Sequence, residues 1–223
     1  MGKLNFYVIL LGTAVISISL IGSIWVKKFA SCRNYMGAFY FIPALGFIIS
    51  LNTISNKILF IYPHSTGYIV QYFLFILELI CWLIFFLKIF VKYQDRIMIF
   101  FVIGITVTIC VVFLWFMNIN RPNIHIISIM NINKTLIGTF YFYRLFKEPP
   151  TNNIMSEPSF WIVSGLLFFS ALSVPIYTWN EYIVEHFNTI ISSDIFAISN
   201  IMIISMHVLF IKAYLCTKQL HKA

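Results

Sequence analysis

Read from its amino terminus, the chain alternates long apolar runs with short polar breaks. The runs predict helical spans over 5–25, 35–54, 66–90, 97–117, 124–146, 159–179 and 194–216. Each is close to the ~20 residues that carry an α-helix across about 30 Å of hydrocarbon at 1.5 Å per residue. The breaks hold basic, Asn and Pro residues: Lys27-Lys28 to Asn34, Ser55 to His64, Lys92 to Arg96, Asn118 to Asn123, Lys147 to Pro158, and Asn180 to Ser193. The first run follows Lys3 as a signal peptide would. Its apolar stretch is too long for one, however, and no small-residue cleavage site follows, so it is expected to stay in the mature protein. The pattern predicts one all-α domain over 1–223, a polytopic transmembrane bundle of seven spans without an internal repeat.

Composition agrees. Hydrophobic residues make up 61% of the chain and charged residues 10%, with a mean hydropathy of +0.92. A water-soluble domain carries about a quarter charged residues. The lipid bilayer is therefore the expected partner of most of this surface. The net charge of +8 does not indicate nucleic acid, because the basic residues sit at the ends of apolar runs and not along one face.

Their distribution orients the chain. Lys3, Lys57 and Arg121 fall on one side of the alternation. Lys27, Lys28, Arg33, Lys88, Lys92, Arg96, Arg144, Lys147, Lys212, Lys218 and Lys222 fall on the other, eleven against three. The positive-inside bias places the amino terminus outside and the carboxyl terminus in the cytoplasm. Aromatic residues mark both boundaries, with Tyr62, Trp115, Tyr177, Trp179 and Tyr182 outside and Trp25, Tyr35, Tyr93, Trp161 and Tyr214 inside. Cys32, Cys81, Cys110 and Cys216 lack metal-ligand spacing and read as reduced thiols.

Ionisable residues at depth are the informative ones, since a charge at mid-bilayer costs about 2.5–3.5 kcal/mol even on insertion scales. Glu78 lies at the midpoint of the third span, Lys134 near that of the fifth and His207 near the middle of the seventh. Positions seven apart share a helix face. Gln71 aligns with Glu78, Asn131 and Gly138 with Lys134, and Asn200 and Tyr214 with His207. Three polar stripes predict a central cluster of Glu78, Asn131, Lys134, Asn200 and His207, with Glu78 and Lys134 paired. Three uses stay open for it: fixing helix register, holding a ligand or ion, and coupling to proton movement.

A second group, His64, His125, Glu181, Glu185, His186 and Asp194, contains metal-ligand types at the outer side. It comes from three loops without signature spacing, so solvated loop residues are the plainer reading. No catalytic residue is indicated: HExxH, GxSxG and phosphate-cradling glycine loops are absent, and nothing requires a cofactor. Lys212 lies too near the inner end to serve as a retinal-binding lysine, and the Pro-Gln breaks of sweet-type sugar transporters do not occur. Pro43 and Pro175 are expected to kink the second and sixth spans.

Three segments carry a resemblance. YIVQYFLFILELICWLIFFLK holds the central Glu78, NINKTLIGTFYFYRLF begins Asn-rich and ends Tyr/Phe-rich, and EPSFWIVSGLLFF leads into a helix through Pro158, Phe160, Trp161 and Ile162. Together they resemble an uncharacterised family of small bacterial seven-helix integral membrane proteins, sometimes encoded near sensor kinases. Lys134 is not part of that family pattern. The resemblance implies the fold and a sensory setting in the inner membrane, with no substrate. The expectation is a sensory or accessory component that binds a small or apolar ligand, a membrane protein partner or a second copy of itself. A transporter or channel lined by Glu78, Lys134 and His207 is the alternative, and a lipid-acting membrane enzyme the third.

Overall fold

A computed structural model describes residues 3–26, 41–54, 64–116, 124–149, 153–179, 182–183, 186 and 189–222. Seven long helices stand among them: α1 (Lys3–Val26), α2 (Phe41–Ile54), α3 (His64–Ile89), α4 (Tyr93–Phe116), α5 (Ile124–Lys147), α6 (Pro158–Thr178) and α7 (Thr189–Lys222). A single 3-10 turn, Ile154–Ser156, precedes α6. There the Asn153 side chain accepts from the Met155 N–H, and Pro158 takes the first helical position, where its missing donor costs nothing.

Several helices exceed the apolar runs that foretold them, α4 and α7 among them. α4 begins at Tyr93 and includes Asp95 in its first turn, and α7 extends over 34 residues. The apolar run marks where lipid begins, whereas the helix continues as long as its backbone bonds do. Pro43 corrects a second expectation. It lies in the first turn of α2, where the ring removes no helical hydrogen bond, so it starts that helix and does not kink it.

Consecutive helices pack against one another, and α7 returns to lie along α1, which closes the series into a ring. Consecutive helices alternate in direction, as Asn133 meets Val102 and Arg144 meets Asp95, Gly138 meets Val163, and Gly165 meets Met206, whereas α7 runs parallel to α1, with Gly12 facing Ile204 and Gly22 facing Tyr214. The closest contacts use small residues. A Cβ on Gly165 would stand 3.1 Å from the Met206 carbonyl oxygen, so glycine lets α6 and α7 touch backbone to backbone. On α1, Gly12, Ile16, Ser19 and Ser23 form the buried stripe at four-three-four spacing. Lipid tails are as apolar as these side chains, so close packing and hydrogen bonds hold such helices together in place of the hydrophobic effect.

The interior divides into two halves. Toward the end that carries Lys88, Lys92, Arg96, Arg144 and Lys212, the ring is filled by Trp82, Phe85, Phe86, Ile99, Ile162 and Phe210, all fully buried. Tyr214 belongs to this core. It was expected at the headgroup layer, but Gly22 on α1 has no side chain and the tyrosine ring fills that space. Most buried polar side chains, among them Thr106, Ser128, Asn131, Asn133, Lys134, Ser170, Ser173, Ser199 and His207, lie at mid-length or in the opposite half.

The outer surface is apolar. Among its described side chains α4 buries only Asp95, Ile99, Ile103, Thr106 and Cys110 along one stripe, and Phe100, Phe101, Ile105 and Val112 point outward. Among the described residues, Tyr93–Phe113, Pro158–Thr178 and Ala197–Thr217 are long and apolar enough to cross a membrane. The chain is a helical membrane protein.

Candidate functional site

At mid-length, Glu78 of α3 reaches Lys134 of α5. The ammonium donates to Glu78 Oε1 at 2.6 Å, with 6% of the lysine side chain and 20% of the glutamate side chain exposed. The indole N–H of Trp82, one turn further along α3, donates to the same oxygen at 3.2 Å. A carboxylate with two donors on one oxygen is held in a fixed orientation, and the opposite charge of Lys134 offsets the cost of keeping either ion in a low dielectric. Sequence reasoning missed Trp82, although the Glu78–Trp82 spacing of four was the available signal.

Trp82 carries this arrangement into the packed half. Its ring meets Phe85 edge-on at 5.5 Å and lies 6.3 Å from Phe210 of α7. Phe210 in turn meets His207 edge-on at 5.2 Å. His207 therefore stands behind an aromatic wall and is not joined to the ion pair by any hydrogen bond among the described residues. Its imidazole faces Gly46 of α2, with Nε2 3.6 Å from where a Cβ would be. It is 2% exposed, and Nδ1 has no partner among the described residues. The predicted cluster is thus two neighbouring sites separated by Phe210.

The asparagines face other neighbours. Asn131, one turn from Lys134, lies on the α5 stripe that faces α6, where Thr135 donates to Ser170 Oγ at 3.0 Å. Asn133 faces α4 instead, donating to the Thr106 hydroxyl and, at 3.2 Å, to the Val102 carbonyl. Asn200 is half-buried on α7. At the adjacent position, the Ser199 hydroxyl lies 3.1 Å from that of Tyr177. The position of Gln71 falls two turns before Glu78 on α3, and its side chain lies outside the described residues.

Of the second group, His125 is half-buried on α5, and His186 is exposed with its ring stacked on Tyr182 at 4.1 Å. Glu181 and Glu185 lie outside the described residues, as do the side chains of His64 and Asp194. Among the described residues no three His, Cys, Asp or Glu side chains come together as metal ligands.

A second ionic cluster closes the basic end. Arg144 of α5 donates through Nε and Nη2 to Asp95 Oδ2 at 2.9 and 2.6 Å, and Lys92 pairs with Glu148. Arg96 donates to the Phe90 carbonyl at 2.6 Å, which caps the end of α3. The Lys92 ammonium holds the Glu148 carboxyl below its ordinary value. These contacts tie α3, α4 and α5 together just outside the apolar zone.

No protein-family model, no curated protein and no solved structure matches this chain.

Proposed function

We propose that this chain is a seven-span protein of a bacterial inner membrane, with its amino terminus outside, that acts as a sensory or accessory component. A small or apolar ligand, or a membrane partner, acts on the mid-membrane polar layer, and the response reaches the cytoplasmic loops. The Glu78–Lys134 pair carries this reading. It joins two helices that flank α4, and its third member, Trp82, is embedded in the aromatic half that leads to the basic end. A shift of Glu78 would move a ring packed against α3 and α7 together. Sensing is favoured over conduction because Phe85, Phe86, Ile162 and Phe210 fill the bundle between the pair and the basic end.

The test uses the purified full chain in liposomes. With a single reactive cysteine at Lys92 in a background lacking the native cysteines, Glu78→Gln is expected to change labelling at the basic end. Neither this protein nor the wild type is expected to pass protons or alkali cations. Unchanged labelling would remove the relay, and a flux that disappears in Glu78→Gln would make the chain a transporter.

A further inference from the structure

The α5–α6–α7 seam at Asn131 and Ser173 has the features of a site for a specific kind of molecule. Thr135 on α5 bonds Ser170 on α6, Gly138 faces Leu167 and Val163, and Phe142 meets Phe160. This antiparallel register brings Asn131, one turn beyond Thr135, opposite Ser173, one turn beyond Ser170. On the other side of α6, Gly165 meets Met206 and Tyr177 meets Ser199, which brings Asn200 to the same level. The Thr135–Ser170 bond closes the seam below this level and the Tyr177–Ser199 contact closes it above. About two helical turns separate them, roughly 10 Å.

Two polar groups inside that interval lack partners among the described residues. Asn131 is 2% exposed with Nδ2 unbonded, and Ser173 is 0% exposed with Oγ unbonded. Buried polar groups in native proteins are almost always paired, and in hydrocarbon no solvent is at hand to do it. The backbone is adaptable at this level as well, because Pro175 within α6 denies the Ala171 carbonyl its usual helical donor.

We propose that this seam binds an uncharged, lipid-soluble molecule through a hydroxyl or carbonyl oxygen that accepts from Asn131 Nδ2 and lies against Ser173 Oγ. The proposal rests on the ligand-responsive reading above and names the chemistry of the ligand. An ion is disfavoured, because Glu78 and Lys134 already neutralise each other and an added charge would stand uncompensated at mid-membrane. The tail has a route to lipid between α5 and α6, where Thr135 and Val174 are half-buried and Leu136 and Leu172 are exposed.

The experiment is photolabelling of the full chain in liposomes with a diazirine-bearing octanol, beside the matching alkane without the hydroxyl. The octanol probe is expected to label α5–α7 peptides around 131, 173 and 200 saturably and to be displaced by excess octanol. Asn131→Leu, which keeps the side chain's size, is expected to weaken half-saturation about fivefold, as the loss of one buried hydrogen bond would. Ser205→Ala, whose hydroxyl bonds only the Ile201 carbonyl of its own helix, is expected to change nothing. Identical labelling by alkane and alcohol, or labelling that excess octanol does not displace, would overturn the proposal even if Asn131→Leu failed to fold. Displaceable labelling with no effect of Glu78→Gln at the basic end would leave this site standing and remove the relay instead.

Discussion

At the scale of single residues, the ion pair and the helix-contact glycine make the sharpest claims. Removing one member of a buried pair strands the other, at a cost of about 3–5 kcal/mol. Glu78→Ala and Lys134→Ala are each expected to lower stability in detergent by that order, and the double variant by much less than the sum. Thermal unfolding of the four proteins gives the coupling directly, and additive losses would mean the charges do not depend on one another. Gly165→Val is expected to cost about 1–3 kcal/mol by forcing α6 away from the Met206 carbonyl, measured in the same way. The pair was legible in the sequence because opposite charges at equal depth have few other ways to survive in lipid. His207 was read correctly as buried but assigned to the wrong neighbours. Periodicity gives the face a residue occupies on its own helix, and it carries no information about which side chain of another helix, here Phe210, intervenes.

At the scale of elements, the helices themselves were plain from hydropathy, and their ends were not. The first turn of α4 holds Asp95, which hydropathy excludes from a span, yet Arg144 pairs with it and keeps that turn wound. The neighbouring Lys92–Glu148 pair makes the same region responsive to acid. The folded state depresses the Glu148 pKa, so this contribution is complete above the ordinary carboxyl value of 4.5 and is lost as pH falls through and below it. Protection from hydrogen exchange at the start of α4, taken relative to the intrinsic rate at each pH, is expected to fall on that acid side. In Lys92→Ala the same acidification is expected to make a smaller difference, and an unchanged acid response would show that Glu148 is not its source.

At the scale of the whole molecule, the eleven-to-three distribution of basic residues makes a topological claim. Cysteines introduced at Lys57 and at Lys147 are expected to react with membrane-impermeant reagent from opposite sides of intact cells and inverted vesicles. Labelling of both from the same side would break the alternation. The ring has a further consequence for how the protein is made. Because α7 lies along α1, the contact between them cannot form until the last helix has left the ribosome. Until then Ser19 and Ser23, buried in the finished bundle, lie on a helix without its principal neighbour. A chain that ends before Thr189 is expected to leave Ser19 and Ser23 uncovered, so that α1 packs only against α2.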